Sequence, residues 1–352
     1  MKQTKRLYGV DLLRLWAVAN IFLFHAAIHM DCKYGFLSGF INNGAIFMIL
    51  FFMISGFVLY YTNSDNQILT GGGVLNFYYK RISVLYPAYF VICAIYLLWD
   101  HELTPLKKII LLPMDLSLMQ SSVDGSFSTW HHGGTWFISC LFFCYVLSPF
   151  IISVLGTISS KGCIILASGL GAMDAYTGLA THILGYSNIY SNMIFRAMEF
   201  VIGMCLAKFC TNSKLDNSKN LIKSAFLAGA LTVGISALSF LGGGFRDYGF
   251  FAIPIFCLLL KNSAFLEFDG VWQKIVQCRI FSYANKIAYE FFLAQFFCFK
   301  IANGMNLHSS FLKTVVAFLI CVIIAIALHE IISRPGKRVL LKVYSKISNI
   351  KE

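Results

Sequence analysis

The sequence predicts an all-α integral membrane protein of about ten transmembrane helices with both termini in the cytoplasm. Composition is the first observation behind that class. Hydrophobic residues make up 58% of the 352 and charged residues only 12%, about half the charged share of an ordinary soluble domain, and the mean hydropathy is +0.72. The second is a series of apolar runs near the ~20 residues needed to cross ~30 Å of hydrocarbon, where a helix satisfies its own backbone. The third is the uneven placement of Lys and Arg. Together they exclude a soluble globular protein.

The opening MKQTKR and the apolar run after it have the outline of a secretory signal, but the run is longer than a usual signal core and carries Arg14. It reads as the first span, 10–30. Further spans follow at 44–61, 82–99, 136–155, 162–180, 189–209, 221–241, 246–261, 281–302 and 311–333, the eighth short and containing Pro254. Within 105–135, LKKIILLPMDLSLM is too short and interrupted to cross, and reads as an interfacial helix before a long external loop. With the N-terminus inside, 20 of the 28 Lys and Arg fall on the cytoplasmic side and six outside, as cytoplasmic loops require. The inner set includes Lys80, Arg81 and the short basic tail 334–352. The net charge of +12 then needs no nucleic acid, because basic inner loops face anionic headgroups. No repeat of 20–50 residues and no low-complexity tract divides the chain, so residues 1–352 read as one membrane domain. The eleven Cys show no paired metal-ligand spacing and fall mostly inside spans, as small buried hydrophobes do. No metal is expected.

Several polar groups sit where they are costly. VDLLRLWAVANIFLFHAAIH at 10–29 carries Asp11, Arg14, His25 and His29, although a charge at the centre of a bilayer costs at least about 2.5–3.5 kcal/mol. At ~100° per residue Arg14 and His25 return to within ~20° of one face, with Asp11 and His29 within ~60°, and Arg14 and His25 lie ~16 Å apart along the axis. Pairing of Arg14 with Asp11 and snorkelling explains Arg14 but not the shared stripe. Arg196 and Glu199 form an i, i+3 pair in the sixth span that either neutralises itself or lines an acceptor cavity. Glu290, beside Tyr289 in the ninth, admits the same two readings. TWHHGGTW at 129–136 offers Trp130, His131, His132 and Trp136, either as stacking platforms for sugar rings or as an interfacial aromatic belt. Two adjacent histidines make a poor metal site without further ligands.

An Arg and a His separated by ten residues in the first helix, here Arg14 and His25, resemble the best-known motif of the membrane-bound acyltransferase-3 family, which includes O-acetyltransferases of bacterial surface glycans. FFMISGFVLYY at 51–61 is similar to the family's second-helix signature, and NFYYKRISVLYPAYF at 76–90 to its basic loop entering the third helix at a Pro. GTWFISCLFFCYVLSP at 134–149 resembles its Trp-Phe helix start, while FRAMEFVIGMCLAKF at 195–209 and SYANKIAYEFFLAQFF at 282–297 are similar to two later segments. Two positions depart from the pattern. Arg81 matches the first of two Arg three apart, but Val84 stands at the second; and Gln295 stands where the ninth helix often has a His.

The resemblance implies an O-acyltransferase of the cell inner membrane, in the standalone form without a fused hydrolase-like domain. It implies no permanently bound cofactor. Acetyl-CoA from the cytoplasm is the donor, its phosphates met by Lys80, Arg81 and Arg14. The acceptor is a hydroxyl of a surface polysaccharide, O-antigen, capsule or lipid-linked sugar. His25 is then the general base, Asp11 and Arg14 complete the catalytic set, and Arg196, Glu199, Glu290 and Trp136 line the acceptor side. The rival from another class is a transporter or flippase of a glycan or lipid-linked precursor, since polar stripes also line transport routes; a glycan polymerase or an inactive accessory subunit is a third. The ordered family-like segments and the lack of an inverted repeat favour the enzyme.

Overall fold

The computed structural model describes residues 6–63, 72–99, 104–122, 134–184, 189–212, 220–240 and 249–349. Among the described residues there is no strand, and thirteen helices have eight residues or more. These are α1 (Tyr8–Met30), α2 (Phe47–Asn63), α3 (Gly73–Trp99), α4 (Pro105–Leu116), α5 (Trp136–Thr157), α6 (Ser160–Leu184), α7 (Met193–Asn212), α8 (Asn220–Phe240), α9 (Ile253–Ala264), α10 (Gly270–Gln277), α11 (Arg279–Gly304), α12 (Ser310–Ala327) and α13 (Arg334–Asn349). Each of the ten expected spans has a helix over it. Among the described residues six helices are long and apolar enough to cross a membrane by length and composition: α1, α2, α3, α5, α6 and α12. Of the other four, α8 and α9 are shorter apolar helices, and α7 and α11 carry several charged residues, among them Arg196, Glu199 and Lys208 in α7. The protein is a multi-pass membrane protein.

The core is built around α2, whose side chains are almost all buried. It crosses α7 at backbone contact. A Cβ on Gly56 would collide with the Phe200 carbonyl, and one on Gly203 with the Met53 carbonyl. Small residues at such a crossing let two membrane helices gain the dispersion energy that replaces a hydrophobic drive in lipid. α1 packs between α2, α9 and α11, and Gly9 meets the Ser263 carbonyl at the end of α9. Hence the start of α1 and the end of α9 share one face of the bundle, called the near face below. α1 stops at Asp31, whose φ of 51° is a left-handed conformation that Asp tolerates better than most residues.

Three regions differ in detail from the sequence expectation. α3 begins nine residues before the expected 82, and Pro87 is held in its interior, with the Tyr289 hydroxyl donating to the Leu85 carbonyl at 2.8 Å. α4 exposes Leu106, Ile109 and Ile110 as an interfacial helix does, but the segment after it turns back into the bundle. Asp115 in the last turn of α4, and Leu118 and Gln120 after it, are buried, and the Gln120 side chain donates to the Tyr89 hydroxyl and the Thr135 carbonyl at 3.1 and 3.0 Å. Finally, the basic tail continues the last span as α13 through a π-helical turn, Leu328–Ser333. It docks on α3 through Gly336 against Pro87 and a Tyr79–Tyr344 ring pair at 4.4 Å.

Candidate active site

The α1 stripe has one end at the near face. Asp11 accepts from Arg6 at 2.7 Å and from Arg14 at 3.2 Å, so one carboxylate holds two guanidinium groups and the cluster stays net positive. A cleft of about 310 Å³ opens over them, lined also by Tyr61, Ser282, Asn285 and Lys286. Arg14 therefore faces a polar cleft. Arg6 further donates to the Ser282 hydroxyl, which ties the start of α1 to α11.

The two cations expected beside Arg14 lie differently. Lys80 is exposed, and Arg81 rests 5.3 Å from the ring centroids of both Phe77 and Tyr145. The described lining of the cleft contains neither. Tyr145 is nevertheless within electrostatic reach of both Arg81 and Arg14, so Arg81 belongs to the same charged region from the α3 side. Arg6, Ser282, Asn285 and Lys286 were not singled out from the sequence. Their signal was available only in part: Ser282 and Lys286 fall in a family-like segment, but nothing local says that this segment meets α1.

Farther along α1, His25 is half-buried and packed 4.6 Å from the Phe296 ring and 5.2 Å from Phe24. The buried Gln295 side chain on α11 interacts with the imidazole, whose Nδ1 is buried without a hydrogen-bond partner. Phe296 also packs against Gly134, just before α5, and Phe292, one turn back on α11, packs at a tilt with its ring centroid 4.9 Å from that of Phe137. His25 thus sits where α1, α11 and the start of α5 converge. His29, 6.2 Å from His25, is exposed and lies flat against Phe299 near the helix end.

A second polar group is buried in α7. Arg196 and Glu199 pair at 3.0 Å with side-chain exposures of 6% and 0%, and the guanidinium lies over Phe52 and Tyr190. Arg196 Nε and Nη1 have no hydrogen-bond partner. Asp174 on α6, itself buried, interacts electrostatically with both members. Glu199 therefore pairs with the guanidinium, and Asp174 lies within its electrostatic reach. Asp174 was missed in the sequence although its signal, a carboxylate inside an apolar run, equals that of Glu290. Trp136 is buried 4.9 Å from Tyr190, so it forms a wall beside this group. Trp130, His131 and His132 lie outside the described residues.

Glu290 points elsewhere. It is buried and pairs with His329 Nδ1 at 3.1 Å, in the π-helical turn after α12. Beside it Tyr283 donates to Glu330 at 3.0 Å, and Arg334 pairs with Glu330 at 2.8 Å. Among the described residues no three His, Cys, Asp or Glu converge as metal ligands.

An ion-lined cleft and a half-buried histidine thus share one membrane helix of a bundle that also holds the family-like segments of α3, α5, α7 and α11. A family model described as an acyltransferase domain matches residues 7–330. The chain belongs to the acyltransferase-3 family. It is a membrane acyltransferase, and the match covers every helix from α1 to α12. No curated protein and no solved structure matches it significantly.

Proposed function

We propose that this acyltransferase moves an acetyl group from cytoplasmic acetyl-CoA to a hydroxyl of a surface polysaccharide or lipid-linked sugar, with His25 as general base. The observation that carries the reading is the α1 axis itself. A cationic cleft at Arg14 and a packed imidazole at His25 stand ~16 Å apart on one rigid helix, close to the reach of a pantetheine arm. In this reading the donor's phosphates lie at Arg14, Arg6 and Lys286, with Arg81 and exposed Lys80 raising the local positive potential. Asp11 keeps the Arg14 fork aimed into the cleft.

The thioester carbonyl then reaches His25. The acceptor hydroxyl gives its proton to the neutral imidazole as its oxygen attacks that carbonyl, and the carbon–sulfur bond breaks. The imidazolium returns the proton to the thiolate, leaving an ester and free CoA thiol. Such general-base assistance is typically worth ~10²–10⁴ in rate. Gln295 holds the ring, and the Arg196–Glu199–Asp174 group with Trp136 offers buried donors and acceptors on the acceptor side. Mass spectrometry of surface glycans from cells with and without the gene tests the reading. An acetyl mark that disappears with the gene is expected, whereas unchanged acetylation with altered glycan export would favour a transporter.

A further inference from the structure

We propose that the groove between α6, α7 and α9 is a binding site for an anionic phospholipid of the cytoplasmic leaflet, with its phosphate at Lys261 and an acyl chain laid along α6. The groove has a volume of about 690 Å³ and runs past Ala167, Gly171 and Ala175 on α6, Leu206 on α7 and Leu258 on α9. Small residues on a membrane helix ordinarily let a neighbour close in. Here the position of a Cβ on Gly171 meets only one atom within 4 Å, the Ile253 methyl at 4.0 Å, so the space stays open. Ile164, Phe251 and Leu258 along it are exposed, which turns the groove toward hydrocarbon.

Charge says which lipid and which leaflet. Lys261 lies at one end, its ammonium 5.6 Å from the Phe209 ring, with exposed Lys161 and Lys223 on the adjoining helix starts. Lys208 is already taken up by the carbonyls of Leu155, Gly156 and Ile158. Across α6 to α9 the only described carboxylates are buried Asp174 and Glu199, so nothing acidic on these helices competes for Lys261; Glu267 and Asp269 follow α9. Ser263, two residues on, touches Gly9, so this end is the near face, cytoplasmic under the distribution of Lys and Arg. From Cys163 to Ala175 the groove follows twelve residues of α6, ~18 Å of helix, comparable to one leaflet of a ~30 Å core. A lipid-linked acceptor in the outer leaflet would carry its phosphate at the opposite end, where the described lining has Phe251 and Ile253 and no cation. The site is thus separate from the acceptor side of the reaction and does not rest on its chemistry.

Native mass spectrometry of the full-length purified protein, titrated with phosphatidylglycerol or with phosphatidylcholine of the same chains, tests the assignment. The wild type is expected to retain phosphatidylglycerol preferentially. Lys261→Gln should bind it about fivefold more weakly, the effect of about 1 kcal/mol for one surface cation, without changing phosphatidylcholine retention. Gly171→Leu should lower retention of both lipids by filling the groove. Equal retention of the two lipids by the wild type, or undiminished phosphatidylglycerol binding in both variants, would overturn the site. So would preferential retention of a polyprenyl phosphate, which would assign the groove to a precursor lipid, or a dimer that Gly171→Leu dissociates, which would assign it to a second copy.

Discussion

Gln295 and Arg14 are the residues at which the reading is most exposed to test. Gln295 is 1% exposed and interacts with His25 at a position where the family often has a His, so it is a positioning residue for the imidazole. Gln295→Leu is expected to lower turnover about fivefold, the worth of one hydrogen bond of about 1 kcal/mol, with little change in KM for acetyl-CoA, while Gln295→His retains activity. Turnover kinetics in membranes checks both. Arg14→Lys is expected to raise KM for acetyl-CoA clearly at matched expression, because a point charge replaces a planar fork that bridges Asp11 and the cleft; unchanged kinetics would reduce Arg14 to a snorkelling residue. The stripe of Asp11, Arg14, His25 and His29 was legible because one helix period fixes it. Their partners were not: Gln295, Ser282 and Lys286 arrive from more than 250 residues away, and His329, which pairs with Glu290, carries no local sign of that contact.

Among elements, the α2–α7 crossing is the tightest point of the bundle, since Gly56 and Gly203 each face a carbonyl of the other helix. Gly203→Val would place its Cβ inside the contact distance of the Met53 backbone. Overpacking of this kind typically costs about 1–3 kcal/mol, so the variant is expected to show a lower thermal midpoint and less monodisperse protein in detergent; a conservative change on a lipid-facing residue such as Ile165 should do neither. Hydropathy located a helix at every expected span because the membrane rewards only long apolar helices. It misjudged ends where polarity and helicity part company. NFYYKRIS reads as a loop by its charge but is the first part of α3, and the tail reads as polar but continues as α13, held by Tyr79 and Pro87.

For the whole molecule, the basic loops argue for cytoplasmic termini, and the protein carries its own reporter of that orientation. Cys278, between α10 and α11, is exposed, Cys257 is half-buried, and the other nine cysteines are buried. A membrane-impermeant maleimide is expected to label Cys278 in inverted vesicles and not in intact spheroplasts, with Cys278→Ala as the control; the reverse pattern would invert the bundle and move the Arg14 cleft away from the acetyl-CoA pool. In the proposed reaction the bundle holds donor phosphates at one face and the acceptor hydroxyl at His25, and one proton passes between oxygen and sulfur. Acetyl transfer by membranes containing His25→Gln, compared with wild type and His25→Ala at equal accumulated protein, decides whether His25 is the general base. Gln can still hydrogen-bond but cannot take up a proton near neutral pH, so both variants are expected to insert normally and lose at least about a hundredfold in rate. Near-normal transfer by His25→Gln would contradict that role.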